Sequence, residues 1–263
     1  MAADGGRRQQ TAQTAAAMQR QQAASMEGVR ERSDGSMQKM GVKGKTYVVI
    51  DVEMCRVPGR TRLQGYLHTN EIIQIGAVMM HEAYERIAEF SSFVHPDYGK
   101  ISDFIRRLTG ISEQDVRRAP SLEQTLTAMK GWIGNRDVIF CAWSETDYTQ
   151  IRDEIEAKGL SREAFALFLE EDRWVDYQKI AGERFCSSRP VSLANALRAA
   201  RLRPEGQAHD GLTDSWNTAR LIEKMEKNPD MQFSLDCLEE EEAYIPLGFS
   251  LGNMLGSLQL EIA

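Results

Sequence analysis

Hydrophobic and polar positions fall into a repeating order only from Thr46 onward. Tyr47-Val48-Val49-Ile50 is a continuous apolar, β-branched run, the pattern of a strand buried on both faces. Glu71 to Met80 and Ile87 to Val94 read as a second and third strand, joined through His81–Glu85 by a connection short enough for a hairpin. Between the first two strands lies a loop rich in Arg and Gly, from Cys55 to Asn70. Helical spacing then takes over. Ser102 to Leu108 predicts a short helix, Ser112 caps a turn towards Val116, and Ser121 starts a helix carrying Leu122, Leu126, Met129 and Ile133. Asp137 to Trp143 is another buried strand, followed by a helix from Asp147 to Lys158. Two further helices fit Ser192 to Ala200 and Leu212 to Met225. In the latter, Leu212, Trp216, Ala219, Ile222 and Met225 recur at helical spacing as a core face. Strands first, then alternating helix and strand, predict the α/β class: one mixed sheet with helices packed on it, over 46–228.

Composition sets off the two ends. Residues 1–45 hold seven Gln and five of the twelve Met but no Phe, Tyr, Trp, Leu or Ile, so they read as a disordered tail. Residues 229–263 are acidic from Asp236 to Glu242, then apolar and Gly-containing. They are expected to form an arm that packs on its own domain or, as a homodimer contact, on a second subunit. No run approaches the roughly 18 apolar residues of a membrane span, and the N-terminus lacks a signal-peptide core. Four scattered cysteines give no paired zinc spacing and suit a reducing cytoplasm. The net charge of −7 divides into +4 for the tail and −11 for the remainder, which argues against a protein that grips nucleic acid by bulk electrostatics.

The first strand runs into Asp51-Val52-Glu53. Alternation along a strand puts residues i and i+2 on one face, so both carboxylates can point at one spot. Acids at the end of an apolar strand are either solvated there or held by a partner or metal. Asp147 follows the fourth strand, where an acid also serves as a helix cap or dipole partner, and Glu145 competes with it. His209-Asp210-Gly211-Leu212-Thr213-Asp214 heads the last helix, with Gly211 allowing tight entry, Asp214 in the first turn and His209 in the loop before it. Its plain reading is a helix-terminal acid beside a loop histidine. With four histidines in the chain, a metal here would be held by carboxylates, which suit hard cations such as Mg²⁺ or Mn²⁺.

Taken together, these segments resemble the DEDDh 3′–5′ exonucleases of the ribonuclease H-like fold. Asp51 and Glu53 match the family's first motif, Asp147 its second, and His209 with Asp214 its third, His-x4-Asp. Leu108-Thr109-Gly110-Ile111-Ser112 looks like the family's Leu-Thr-Gly-Ile-Ser/Thr loop, and Glu71 to Ala77 like its second strand. The order and spacing agree over 46–228 and come closest to the branch that trims structured or small RNAs. The resemblance implies that Asp51, Glu53, Asp147 and Asp214 bind two Mg²⁺ or Mn²⁺ ions ~4 Å apart. It implies His209 as general base, since an unperturbed pKa of ~6.5 suits that work. The partners implied are single-stranded 3′ ends, RNA ahead of DNA, with nucleoside 5′-monophosphates released. Met54, Leu108, Thr109 and Ile111 are the candidate contacts to the terminal nucleotide, with ordinary core packing the competing role for Leu108 and Ile111.

The chain departs from the family in places. Met54 and Cys55 stand where many relatives carry small or hydroxyl residues. The Cys55–Asn70 loop is longer and more basic than in compact relatives, with Arg56, Arg60 and Arg62, so it either guides substrate or is simply solvated. Two other functions compete with the exonuclease: a catalytically silent nucleic-acid-binding or regulatory module, and a different phosphoryl-transfer enzyme of the same fold. The presence of all four acids and the histidine stands against the first, and the position of the histidine against the second. With −11 on the body, the charge predicts weak, metal-dependent binding of short ends.

Overall fold

The computed structural model describes residues 44–59, 66, 68–185, 187 and 189–229. Apart from Gly44, Lys45 and Pro229, the expected tail and the expected arm with its homodimer contact therefore lie outside the described residues, as do Arg60 and Arg62.

The β-branched run forms β1 (Thr46–Arg56), which pairs antiparallel with β2 (Asn70–Met80). β1 is longer than its apolar pattern predicts. It passes Glu53 through a register shift and keeps pairing to Arg56, so Cys55 lies buried in the strand and not in the following loop. β2 returns through the hairpin, where the His81 N–H donates to the Glu85 carbonyl at 3.0 Å, into β3 (Arg86–Phe93). Three short helices follow, α1 (Asp103–Thr109), α2 (Glu113–Val116) and α3 (Leu122–Ile133). The Ser102 and Ser121 hydroxyls accept the N–H groups of Ile105 and Gln124, which satisfies donors left free at the starts of α1 and α3.

β4 (Val138–Ala142) leads into α4 (Glu145–Ala157). Ser144 caps α4, so Asp147 sits inside the first turn and does not begin the helix. Next come α5 (Ala166–Leu169), a 3-10 turn, β5 (Trp174–Asp176), α6 (Tyr177–Arg184), α7 (Leu193–Ala199) and α8 (Gly211–Lys227). β5 completes a mixed sheet in the order β3-β2-β1-β4-β5, with β4 and β5 parallel to β1.

Each face of the sheet carries its own core. Val48, Ile50 and Val52 point into one with Leu126, Met129 and Ile151; Val49 points into the other with Leu221, Ile222 and Met225. By strand alternation Asp51 and Glu53 share the face of Val49, the face that α8 covers. The buried stripe of α8 includes Ser215, Thr218, Ala219, Ile222 and Met225, whereas Leu212 and Trp216, expected in it, are only partly buried. The helix turns this way because the Ser215 hydroxyl reaches the Gly76 carbonyl (2.9 Å) and the Gly211 carbonyl (2.7 Å).

α4, which carries Asp147, is tied to β2 by a buried charge cluster. Lys158 Nζ lies 2.7 Å from Glu71 and 3.3 Å from Glu154, and also pairs with Asp97. Glu154 accepts the Ile72 N–H at 2.8 Å. Burial pushes its carboxyl up to about 7, against the pull of Lys158. Because that pKa is raised on folding, the associated stability is present below the ordinary carboxylate range and is lost as pH climbs through about 7. Glu154→Gln is therefore expected to flatten the decline in stability between pH 5 and pH 8 by an amount on the order of 3 kcal/mol. Thermal unfolding across that range tests this, and parallel curves for the two proteins would exclude it.

Candidate active site

The pairing of β1 with β4 ends at Ile50–Ala142, six residues before β1 itself ends. Asp147 reaches across the gap from α4, and its Oδ1 accepts the Val52 N–H at 3.1 Å. This bond replaces a strand partner with a side chain and fixes Asp147 beside Asp51 and Glu53.

The third acid and the histidine arrive on α8. A Cβ on Gly76 would fall 2.0 Å from the Gly211 backbone, so β2 and the start of α8 approach as closely as two glycines allow. Gln74, opposite Glu53 on β2, locks this contact. Its Oε1 accepts the Gly211 N–H (3.0 Å) and its Nε2 donates to Asp210 (2.8 Å), while Asp210 caps the helix through the Thr213 N–H (2.9 Å). His209 precedes the cap in the left-handed region, φ 62°, and its N–H donates to Asp214 Oδ2 at 2.8 Å. That bond holds the loop histidine and the helical aspartate on the same side.

Asp51, Glu53, Asp147, His209 and Asp214 thus all line one open cavity of about 170 Å³. Glu53, His209 and Asp214 present ligand atoms within 4.8 Å of one another. Burial raises the Asp51 carboxyl well above the ordinary carboxylate range, and repulsion from Asp147, Asp214 and Glu53 adds to the rise. Glu53 is raised in the same way, by burial first and then by Asp214 and Asp147. Asp147 stands at about 7 and Asp214 at about 6, both through burial, each partly relieved by the backbone N–H it accepts. Burial lowers the His209 imidazole, favouring its neutral form. Glu53 Oε2 is buried with no hydrogen-bond partner. Crowded carboxylates with an unsatisfied buried oxygen are the donor set a hard divalent cation requires, since positive charge would relieve both the repulsion and the missing bond.

The structure therefore brings the four acids and the histidine together. Of the four candidate nucleotide contacts, Met54 borders the cavity, although its side chain is packed in the core, and the other three do not. Thr109 is buried, donating to the Ile105 carbonyl (2.9 Å) and accepting the Ile111 N–H (3.0 Å). Ile111 is in the core and Leu108 packs against it. The remaining cavity wall comes from Trp143, α7 (Leu193, Leu197) and the loop at Pro204–Gly206. Sequence periodicity identified α7 as a helix but carried no sign of what it faces. The Gln74–Asp210 link, 136 positions apart, had as its one advance signal two polar residues inside otherwise constrained motifs.

The mixed sheet thus gathers four carboxylates and a histidine where two of its strands part. Residues 48–222 match the RNase_T exonuclease family, and the chain belongs to that family. It is 29% identical over 203 residues to ERI1 exoribonuclease 2 of Homo sapiens, a match that covers 68% of this chain and 28% of the human protein. It is 26% identical over 172 residues to 3′-5′ exoribonuclease 1 of Mus musculus, covering 61% of this chain and 47% of that one. The chain thus spans less than half the length of these curated relatives. Among solved structures, the nuclease domain of 3′hExo, a DEDDh family member bound to rAMP, superposes with a TM-score of 0.59 at 22% identity over 70% of this chain and 93% of that domain, a likeness of fold. Among the described residues no helix is long and apolar enough to cross a membrane.

Proposed function

We propose that this protein is a metal-dependent 3′–5′ exonuclease that removes nucleoside 5′-monophosphates from the 3′ ends of single-stranded nucleic acid, RNA in preference to DNA. The observation that carries the reading is the convergence of Asp51, Glu53, Asp147, His209 and Asp214, from three separate parts of the chain, on one cavity. The preference for RNA is supported by the relatives, which are named as exoribonucleases. A cytoplasmic setting is supported by the four scattered cysteines, which suit a reducing compartment.

Asp51, Glu53, Asp147 and Asp214 would hold two Mg²⁺ or Mn²⁺ ions. When bound, such ions supply charge stabilisation at the scissile phosphate and acidify a coordinated water. The chain's own residues do the rest. His209, neutral near pH 7 and aimed at the cavity, accepts the proton of the attacking water at a ring nitrogen. Asp214 holds the His209 backbone so that this nitrogen stays at the cavity wall. Leu193 offers an apolar surface for the terminal sugar and base, a contact indifferent to sequence.

The full chain incubated with 5′-labelled single-stranded RNA and DNA should shorten both stepwise from the 3′ end in Mg²⁺ or Mn²⁺, RNA faster, and neither in EDTA. Full-length strand left unshortened in metal would exclude the reading. His209→Ala should slow cleavage by about 100- to 10,000-fold, the range of general acid–base contributions, while leaving Mn²⁺ affinity within a few-fold. Calorimetric metal titration beside the rate assay separates these effects, and a variant that cuts at the normal rate removes His209 from the base role.

A further inference from the structure

The body of the protein carries a net negative charge, yet one segment beside the cavity has the opposite sign. Residues 100–118 hold five basic and three acidic side chains. Each helix of the segment supplies the same local pattern. Buried Ile105 is followed by Arg106 and Arg107, and buried Val116 by Arg117 and Arg118, so each apolar anchor seats a pair of exposed arginines.

The acids of this segment are exposed but each is engaged by a local partner. Glu113 Oε1 accepts the Ile101 N–H (3.0 Å), Asp115 accepts the Ser112 N–H (2.8 Å) and hydroxyl (2.6 Å), and Asp103 pairs with Arg106 (2.9 Å). The side chains of Arg107, Arg117 and Arg118 have no hydrogen bond or ion pair among the described residues. Phe104 on α1 is 37% exposed, a flat apolar ring beside the arginines. Free cations with an exposed aromatic ring are the combination that holds single strands, by phosphate contact and base stacking.

The segment also abuts the site. Gly110 closes α1 at φ 78°, and a Cβ there would lie 3.0 Å from the Gln207 side chain. Gln207 stands between Gly206 and Ala208, both of which line the cavity, two residues before His209. His95 braces the far end, its ring bonded to the Val116 carbonyl at 3.0 Å and its N–H to the Pro120 carbonyl at 2.9 Å.

We propose that α1, α2 and the arginines that follow their apolar anchors form the track on which the sugar–phosphate backbone lies, upstream of the nucleotide being removed. This rests on the exonuclease reading and extends it, because the track engages strands longer than the few nucleotides the cavity can hold. The full chain is compared with a variant combining Arg107→Ala, Arg117→Ala and Arg118→Ala, on a 5′-labelled oligouridylate of about 20 nucleotides and on a uridine dinucleotide. The KM for the long strand is expected to rise about tenfold, and the slope of log KM against log salt to shrink by about 2, the share of three phosphate contacts on a single strand. Turnover of the dinucleotide should stay within about twofold, and the combined Arg→Lys variant should recover most of the long-strand affinity. Unchanged KM and salt slope on the long strand overturn the track, as does an equal loss on both substrates. If the unaltered chain cuts neither RNA in Mg²⁺ or Mn²⁺, the exonuclease reading fails by itself. The track is then judged by fluorescence anisotropy of the same 20-mer in EDTA, where an affinity loss in the alanine variant under about twofold overturns it.

Discussion

Asp51→Ala is expected to lower 3′ shortening roughly 1000-fold or more, the rate equivalent of about 4 kcal/mol, while leaving the metal-free protein at least as stable as before. The two outcomes share one cause. Asp51 is held near Glu53, Asp147 and Asp214 in a setting where burial and like charge both oppose ionisation. Without a cation, deleting one of these groups removes repulsion, so thermal unfolding in EDTA at pH 8 should occur at or above the wild-type temperature. The pH dependence has a definite sign. Asp147 and Asp214 have folded pKa values of about 7 and about 6, above the ordinary range. Their stabilising neutral forms are populated at low pH, and the stability is lost as pH rises through 6 to 7. Added Mg²⁺ should restore stability at pH 8 in the wild type through mass action, and much less in Asp51→Ala. Full activity in the variant would remove Asp51 from the site, and an equal Mg²⁺ response in both proteins would remove it from cation binding.

Gly76→Ala is expected to be nearly as damaging to activity, although residue 76 touches no substrate. Its added methyl would meet the Gly211 carbon at 2.0 Å and the Leu212 nitrogen at 2.1 Å, both backbone atoms that cannot swing aside. The start of α8 must move, and His209 and Asp214 with it. A destabilisation of about 3 kcal/mol or more and activity below roughly 1% of wild type follow, since small misplacements of catalytic groups cost on the order of 100-fold. Gly131 in α3 is the control. A Cβ there meets nothing within 4 Å, so Gly131→Ala should stabilise by about 0.5–1 kcal/mol and leave activity unchanged. Denaturant unfolding of the pair, with the cleavage assay alongside, separates close packing from a general intolerance of alanine.

How far these arrangements were legible in the sequence depended on the reach of the interaction involved. β1, β2 and β4 could be read because burial on both faces leaves long apolar runs, β3 because a hairpin-length connection leads into it, and the helix starts because serine caps act over three residues. β5 could not. It is three residues long at the sheet edge, and its Asp176 belongs equally to the cap of α6, where it accepts the Lys179 N–H at 3.0 Å. The five site residues were legible through motif order and spacing, with a family resemblance supplying their roles. Thr109 and Ile111 are buried, and a motif records that a loop is constrained without saying whether its side chains face a ligand or the core. Net charge averaged over the body concealed the arginine pairs, which stand out only once their neighbouring acids are seen to be engaged by local partners.

The early end of β4 has a consequence of its own. Between Val52 and Asp147 a carboxylate occupies the position of a missing rung, so the cleft is the unzipped end of a hydrogen-bond ladder. Its width is set by where one strand stops and not by how two lobes are hinged. Such an opening needs no closing motion to assemble its acids. It also links catalysis to strand length, because two more paired residues on β4 would seal the seam and leave Asp147 nowhere to reach.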